Sequence, residues 1–338
     1  NRKIHTRANI SMTHYDLFNG DADGICALIQ LRLAEPKDSV LVTGTKRDNQ
    51  LLEKVEVQAG DQLTVLDVAM KKNTASLQQA LEAGAKVFYA DHHQPGDIPH
   101  HENLQAHINT AANTCTSLIM NDLLSGRFKD WAIVAAFGDN ITQVAQELCE
   151  KQNYSTEQIE QLRTLGVCFN YNGYGASLDD LFYHPADLYK IAMQYKSPFE
   201  FIEKEQTVFK ILKNGYEQDM KKALAVETFQ VSEKSAMFIL PNEKWARRVS
   251  GVVGNELANR FPDRAHAILT EIKELAERNN LVSGEKMYQV SIRAPKNNQV
   301  GADEIASQFG GGGRKGAAGI DVLKDIDALK SLILKRYQ

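Results

Sequence analysis

Carboxylates and imidazoles recur in this sequence directly after short apolar runs. Two aspartates, Asp21 and Asp23, stand in the segment NGDADG, which leads into a predicted helix. The other members of this set are Asp67 after Thr64-Val65-Leu66, the run Asp91-His92-His93, and Asp139 in Gly138-Asp139. Oxygen ligands combined with imidazole favour Mn²⁺, with Mg²⁺ as the alternative. Two such ions about 3.5–4 Å apart can hold a phosphate and activate water, so these residues predict metal-dependent phosphate chemistry.

The apolar runs before these residues alternate with helical patterns as far as about residue 140. The candidate strands are Tyr15–Phe18, Val40–Thr43, Leu63–Val68 and Lys86–Ala90. The candidate helices are Gly24–Leu33, Thr74–Ala83, Asn113–Leu124 and Lys129–Phe137. Such alternation predicts an α/β fold with a mostly parallel sheet. Because ligands gather at the carboxyl ends of strands in such sheets, we expect the acidic motifs to converge there.

The rest of the chain is predicted to contain a helical stretch and a second α/β unit. Residues 141–228 are largely polar and helical, with clear helices at Ala186–Met193 and Phe199–Leu224. The elements of the second unit are the strands Ala236–Leu240, Ala265–Glu271 and Tyr288–Arg293, and the helices Trp245–Arg260, Ala302–Gln308 and Asp325–Leu334. We expect a catalytic domain over residues 12–185, a helical linker over 186–228 and a smaller C-terminal domain over 229–338.

The composition is that of a globular protein. Of the 338 residues, 43% are hydrophobic and 24% are charged, and no stretch approaches the ~20 apolar residues of a membrane helix. A net charge of −4 argues against a protein that grips long nucleic acid through its phosphates. Four cysteines without metal-site spacing indicate reduced thiols in a cytoplasmic protein. Residues 1–11 lack the hydrophobic segment of a secretory signal, and we expect a leader or an expression remnant there.

The ordered motifs NGDADG, LDVA, ADHHQPG and AAFGDN resemble the four motifs of the DHH phosphoesterase family. The segments VSIRAP and FGGGGRKGAAG resemble the substrate-binding domain associated with that family, whose signature is GGGHxxAAG. The resemblance extends from about Met12 to the C-terminus. It implies a DHH catalytic domain with a mostly parallel sheet, a helical linker and a smaller α/β domain that binds substrate.

The resemblance also implies roles for individual residues. Asp21 and Asp67 would be ligands of one Mn²⁺ ion, with Mg²⁺ as the alternative. The second ion would share Asp67 as a bridging ligand, and its full set would be Asp23, Asp67, His92 and Asp139. His93 would lie beside the scissile phosphate, and Asp91 would orient its neighbours, as supporting carboxylates often do around metal sites.

One departure from the family pattern concerns the first metal. Many members carry a histidine ahead of the paired aspartates, where this sequence has Leu17 and Asn19. The carbonyl oxygen of Asn19 could replace that histidine as a ligand. Alternatively, Asn19 only shapes the turn. The sequence favours neither role.

A second departure is Arg314, which stands where the C-terminal signature has histidine. Glycines in the preceding run would offer backbone amides to an anion, and nearby basic side chains would add positive charge. The substrate-binding residues expected there are Gly311, Gly312, Gly313, Arg314, Lys315 and Arg293. Arginine can pair with a phosphate or with the O6 and N7 atoms of guanine. A plain phosphate clamp is the simpler interpretation, and guanine selection is the alternative.

Together these features predict a two-metal-ion phosphodiesterase, an oligoribonuclease that hydrolyses nano-RNA. We expect short linear substrates, above all dinucleotides such as pGpG or GpG that arise in cyclic-di-GMP turnover, to be released as mononucleotides. The acidic balance argues against an exonuclease on long DNA, and the C-terminal glycine-rich signature argues against the family's pyrophosphatase branch. The alternatives are a cyclic-dinucleotide phosphodiesterase and a catalytically weakened nucleotide-binding protein. The sequence leaves the oligomeric state open, a homodimer included.

Overall fold

The chain divides into two compact units in a computed structural model that describes residues 12–272 and 286–338. The first unit extends to Lys213, and the second runs from Asn214 to Gln338. The division falls within residues 186–228, where the helical linker is expected. The expected leader at residues 1–11 lies outside the described residues. Across these two described stretches, no helix has both the length and the apolar character needed to cross a bilayer.

The first unit is built on a five-stranded parallel sheet with the order β2-β1-β3-β4-β5. Its strands are β1 (His14–Phe18), β2 (Val40–Val42), β3 (Gln62–Leu66), β4 (Lys86–Asp91) and β5 (Leu104–Ile108). The register pairs Phe18 with Leu66 and Leu66 with Ala90, so the three central strands end at one edge. The predicted α/β fold with a mostly parallel sheet is therefore confirmed.

Two hydrophobic clusters flank this sheet. The helices of this unit, and the helix that runs on from it, are α1 (Ala22–Ala34), α2 (Thr74–Glu82), α3 (Thr116–Leu123), α4 (Lys129–Gly138), α5 (Thr142–Lys151), α6 (Thr156–Asn172), α7 (Pro185–Ala192), α8 (Pro198–Lys204) and α9 (Gln206–Leu224). One cluster joins α1 to α3, α4 and α6, and the other packs α2 against β1, β3 and β4. Nearly every residue of α1 is buried, which explains its apolar character on all sides.

The predicted helix Phe199–Leu224 is two helices, because the chain leaves the helical conformation at Glu205. The backbone there has φ −104° and ψ 45°, and the Glu205 side chain accepts a hydrogen bond from the Tyr195 hydroxyl at 2.6 Å. Ser197 caps the start of α8 by accepting from the Phe199 amide. The apolar period continues across this break, so the pattern alone does not reveal it.

The second unit contains a six-stranded mixed sheet with the order β10-β11-β9-β8-β7-β6. Its strands are β6 (Phe229–Ser232), β7 (Ser235–Leu240), β8 (Ala265–Glu271), β9 (Tyr288–Arg293), β10 (Gly312–Arg314) and β11 (Ala317–Leu323). Its helices are α10 (Lys244–Arg260), α11 (Ala302–Ser307) and α12 (Ile326–Arg336). β7 and β8 pair in parallel, whereas β8–β9, β9–β11 and β11–β10 are antiparallel.

Candidate active site

The predicted metal ligands of the first unit converge at the carboxyl edge of the parallel sheet. Asp67 follows β3 directly, and His92 follows β4. Asp21 caps the N-terminus of α1 just after β1, while Asp139 lies at the C-terminal end of α4. The strand ends and two helix ends therefore bring side chains that are far apart in sequence into one cluster.

Asp67 adopts a backbone conformation that few non-glycine residues take. Its φ is +58°, and its amide donates to the Ala90 carbonyl at 3.0 Å. The side chain is buried, and its Oδ1 accepts a hydrogen bond from the Thr116 hydroxyl at 3.2 Å. Left-handed backbone of this kind costs free energy and concentrates at functional sites. The turn at Asp67 ends β3 and brings the carboxylate into the cluster.

His92 lies at the centre of the donor atoms. Its Nε2 is 3.4 Å from Asp67 Oδ1, 3.8 Å from Asp23 Oδ2 and 3.7 Å from Asp139 Oδ2. Neighbouring ligand atoms around an octahedral divalent ion lie about 3 Å apart. Two overlapping groups of donors lie close enough to share a divalent cation of the Mn²⁺ or Mg²⁺ type: Asp23, His92 and Asp139 form one group, and Asp67, His92 and His93 form the other.

The charge of this cluster also fits a cation. Burial raises the pKa of Asp67 well above its usual value, and the carboxylates of Asp23 and Asp21 raise it further. Burial also raises the pKa of Asp139 to about 6, with a second contribution from Asp23. Like charges held together in a buried site disfavour one another's ionisation. A bound cation would relieve this repulsion.

The N-terminus of α3 holds Asp23 in place. The Thr116 amide donates to Asp23 Oδ2 at 2.8 Å, and the Ser117 amide donates to Oδ1 at 2.7 Å. Ser117 Oγ also donates to the Asp23 carbonyl at 2.8 Å. In the sequence these two hydroxyl residues suggest either a cap or a phosphate site at a helix N-terminus. In the structure the anion at this N-terminus is the protein's own carboxylate.

A lysine that the motifs do not include completes the opposite side of the cluster. Lys46 Nζ donates to Asp21 Oδ2 at 2.5 Å and to Asn170 Oδ1 at 2.9 Å. It also lies 3.6 Å from Asp139 Oδ1. Burial opposes ionisation of Asp21, but the charge and hydrogen bond of Lys46, together with the hydrogen bond from the Gly24 amide, lower the pKa of Asp21. A single lysine in a polar loop gives no sequence signal of its own, so it was not predicted.

Both polar atoms of the Asn19 side chain bond to nearby backbone. Its Oδ1 accepts from the Asp21 amide at 3.2 Å, and its Nδ2 donates to the Lys46 carbonyl at 3.1 Å. This arrangement is that of a residue that shapes the turn. The alternative role of Asn19 as a metal ligand has no contact in its support and stays a prediction.

His93 is held by a buried carboxylate. Its Nδ1 donates to Asp91 Oδ1 at 2.7 Å, and Asp91 is inaccessible to solvent. Asp91 Oδ2 has no hydrogen-bond partner among the described residues. The hydrogen bond to Asp91 raises the pKa of His93 and fixes the proton on Nδ1. The half-exposed ring keeps Nε2 as the nitrogen that can meet a ligand.

The two arginines predicted to bind substrate lie on one row of the second sheet. Arg293 of β9 pairs with Ala317 of β11, which pairs with Arg314 of β10. Opposed residues share a face of the sheet. Arg314 is exposed, whereas the Arg293 guanidinium donates to Asn255 Oδ1 at 2.7 Å and to Ser291 Oγ at 2.9 Å. Arg314 is therefore the more accessible of the two cations, and the neighbouring Lys315 is equally exposed.

The glycines before Arg314 have a structural role in the sheet in addition to any role in ligand binding. The Gly311 amide donates to the Ala306 carbonyl at 2.9 Å and is therefore not available to an anion. A Cβ on Gly311 would lie 2.2 Å from the Gly319 carbonyl oxygen, and a Cβ on Gly313 would be similarly blocked. A Cβ on Gly312 would meet open space. Gly311 and Gly313 are thus required by the close approach of β10 to β11, and Gly312 leaves room for a ligand.

Comparison with protein-family models identifies a domain within the first unit. Residues 12–151 match the model described as "DHH family, N-terminal domain". The chain carries a DHH family domain. No curated protein sequence matches the chain at a significant level. The resemblance of the acidic and histidine motifs to DHH phosphoesterases is confirmed.

Solved structures share the fold of this chain. An exonuclease RecJ bound to manganese is 14% identical, with a TM-score of 0.60 over 96% of this chain and 90% of the other. A pGpG-specific phosphodiesterase, PggH from Vibrio cholerae, is 14% identical, with a TM-score of 0.55 over 96% and 98%. A DHH-domain member of the s1p family of ribosomal proteins is 12% identical, with a TM-score of 0.61 over 96% and 86%. The TM-scores, all above 0.5, show a common fold.

Proposed function

We propose that this DHH protein is a metal-dependent phosphodiesterase that hydrolyses short linear oligoribonucleotides, with dinucleotides such as pGpG as preferred substrates. The observation that carries this proposal is the donor set around His92, whose Nε2 lies within 3.8 Å of carboxylates from three other segments. Hydrolases of phosphate esters use such sites because a cation offsets the charge of the substrate.

The residues that would hold a divalent ion are Asp23, Asp67, His92 and Asp139. When bound, the ion would supply positive charge to the phosphoryl oxygens and lower the pKa of a water molecule. The α3 N-terminus fixes Asp23, and the Thr116 hydroxyl fixes Asp67, so two of the ligands are positioned before any ion arrives. Pre-organised ligands of this kind are what a tight site needs.

His93 is proposed to act on the proton that hydrolysis requires. Water adds to phosphorus and releases a proton to solvent, the bond from phosphorus to the leaving nucleoside oxygen breaks, and that oxygen takes up a proton. Protonated His93 can donate this proton from Nε2, because Nδ1 is committed to Asp91. Asp91 keeps the imidazole oriented and stabilises its charged form.

The choice of substrate size has separate support. The net charge of −4 leaves no general attraction for long nucleic acid, and the glycine-rich segment of the second unit presents two exposed cations, Arg314 and Lys315. Two basic residues suit one or two phosphates. The PggH likeness supports a dinucleotide substrate at the level of a shared fold.

A substrate panel tests this proposal. The full chain would be incubated with Mn²⁺ and pGpG, GpG, pApA, longer RNA oligomers, cyclic di-GMP, cyclic di-AMP or pyrophosphate, and the products separated by chromatography. We expect two mononucleotides from pGpG or pApA, and one mononucleotide with guanosine from GpG. We expect His92→Ala to abolish these products. His100→Ala is the matched control, because His100 is exposed in the loop after β4 and outside the donor set. Faster turnover of cyclic substrates, or binding without turnover, would contradict the proposal.

Arg314 tests the question of base preference within the same panel. If its guanidinium reads guanine, Arg314→His should narrow the difference between pGpG and pApA turnover and leave Mn²⁺ affinity unchanged. If the guanidinium only holds phosphate, Arg314→His should lower the turnover of pGpG and pApA by the same factor. The ratio of the two turnover rates decides between these roles.

A further inference from the structure

The backbone of Lys46 is fixed on two sides next to the metal ligands. Its amide donates to the Gly173 carbonyl at 2.7 Å, and its carbonyl accepts from Asn19 Nδ2 at 3.1 Å. Gly173 follows α6, and Asn19 stands at the turn before α1. The loop after β2 is therefore tied to both elements, so Lys46 has a defined origin from which its side chain extends into the cluster.

The Lys46 ammonium has the surroundings of a bound cation. Two carboxylates and one amide oxygen lie within 3.6 Å of Nζ, and the ring centroid of Tyr174 is 5.8 Å away. The ring adds a cation–π contact. The side chain is only 26% exposed, while its main partner, Asp21, is 4% exposed. Such enclosure distinguishes Lys46 from a solvated surface lysine.

Asp21 has both carboxylate oxygens in use. Oδ1 accepts from the amides of Asp23 and Gly24 as the cap of α1, and Oδ2 accepts from Lys46. Among the described residues, Asp21 belongs to neither group of donors whose atoms are close enough to share an ion. The end of β1 supplies no imidazole beside Asp21, because Leu17 is in the core and Asn19 is bonded to backbone.

We propose that the Lys46 ammonium takes the position of a second metal ion beside Asp21, so that the chain binds one divalent ion. The expected pair of ions would then be one ion, held by Asp23, Asp67, His92 and Asp139, and one fixed ammonium. Lys46 lies 3.6 Å from Asp139, which is itself 3.7 Å from His92, so the two positive charges would share a carboxylate. This inference rests on the proposed metal site. In place of a second, exchangeable ion, the Lys46 ammonium would supply a positive charge that is part of the chain.

The number of bound Mn²⁺ ions tests this inference without any reference to turnover. Free Mn²⁺ would be followed by electron paramagnetic resonance during titration of the full chain, up to about ten times the first dissociation constant. The wild-type chain should bind one ion per chain, and Lys46→Met should bind two because Asp21 and Asp139 lose their cationic partner. Lys46→Arg should restore a count of one.

Lys54→Met is the matched control. Lys54 also pairs with an aspartate, Asp48, in the loop that follows Lys46, but it is exposed and lies outside the cluster. The Lys54→Met variant should still bind one Mn²⁺ ion per chain. Circular dichroism of each variant would show that the fold is retained.

Asp21→Asn provides a second, independent measurement. Asparagine still caps a helix, so α1 should persist. If Asp21 pairs with Lys46 rather than with an ion, the count in this variant stays at one, whereas Asp67→Asn should lose the ion. A wild-type count of two, a fall to one in Asp21→Asn, or an unchanged count in Lys46→Met would overturn the role of Lys46. A wild-type count of zero would instead overturn the proposed metal site, and the lysine inference with it.

Discussion

Gly166 of α6 faces Gly138 of α4 at a separation that no side chain could occupy. A Cβ on Gly166 would lie 2.2 Å from the Val134 carbonyl oxygen and 2.9 Å from the Gly138 amide nitrogen. In return, a Cβ on Gly138 would lie 2.7 Å from the Gly166 carbonyl oxygen. The two helices therefore cross backbone to backbone. Because Asp139 follows Gly138 directly, this crossing fixes the position of a proposed metal ligand.

Gly166→Ala should separate α4 from α6 and displace Asp139. Overpacking of a buried contact costs roughly 1–3 kcal/mol, so we expect a lower free energy of unfolding and weaker Mn²⁺ binding. Chemical denaturation and Mn²⁺ titration measure these two effects. Gly312→Ala, where a Cβ meets open space, should leave the stability unchanged. Unchanged stability and Mn²⁺ affinity in Gly166→Ala would show that the crossing does not constrain Asp139.

Asp67→Asn should stabilise the metal-free chain and abolish its Mn²⁺ binding. Burial and the neighbouring carboxylates raise the pKa of Asp67, so an ionised Asp67 is costly when no cation is present. Asparagine removes that charge and tolerates the left-handed backbone. Removing about 1 kcal/mol of repulsion would raise the melting temperature by roughly 2–4 °C. Differential scanning calorimetry in EDTA measures this shift, and a lower melting temperature would contradict the charge account.

Asp91→Asn should shift the pH dependence of turnover. The hydrogen bond to Asp91 raises the pKa of His93, so the protonated imidazole persists to higher pH in the wild-type chain. If His93 donates a proton, activity falls as pH rises through that raised pKa. In Asp91→Asn the pKa drops, so the alkaline limb should move to lower pH and kcat should fall about 10–100-fold. If kcat falls but the alkaline limb of the pH–rate profile stays at the same pH, His93 is not the proton donor.

The buried His266 of β8 should make the second unit less stable in acid. Burial lowers the pKa of His266 to about 4, and the positive charge of Arg264 adds to this effect. In the unfolded chain the pKa is about 6.5, so between these values the unfolded state binds more protons and stability falls as pH falls. The expected loss between pH 7.5 and pH 5 is roughly 2 kcal/mol.

Hydrogen exchange of the β8 and β9 amides at the two pH values measures this loss. His266→Leu should reduce the pH dependence of their opening free energy, because leucine has no proton to gain. His100→Leu, a change at an exposed histidine, should leave that dependence as in the wild-type chain. Equal pH dependence in all three proteins would exclude His266 as its source.

Site residues could be predicted where they follow strands that form continuous apolar runs in the sequence. Asp67 and His92 follow such runs, and the order of the motifs brought Asp23 and Asp139 into the same set. The central strands of the first sheet were located for the same reason. By contrast, β10 is only three residues long and has no apolar side chain, and β11 begins with small residues beside the glycine run, so neither strand stands out in the sequence.

Other features depend on contacts that no local pattern records. Lys46 meets Asn170 across 124 positions of sequence, and the Ser117 amide meets Asp23 across 94. Neither residue type is unusual for a polar loop or a helix start. Their roles follow from the crossing of loops at the sheet edge, which exists only after the chain has folded.

The central claim is that a metal ion held by the His92 donor set enables hydrolysis of a short linear nucleotide. The most direct test is to titrate Mn²⁺ into the metal-free chain while recording pGpG turnover by chromatography and bound Mn²⁺ by electron paramagnetic resonance. We predict no turnover in EDTA, and a rate that saturates with the same dissociation constant as the bound ion. Turnover that persists in EDTA, or a fully loaded site with no release of mononucleotide, would contradict the claim.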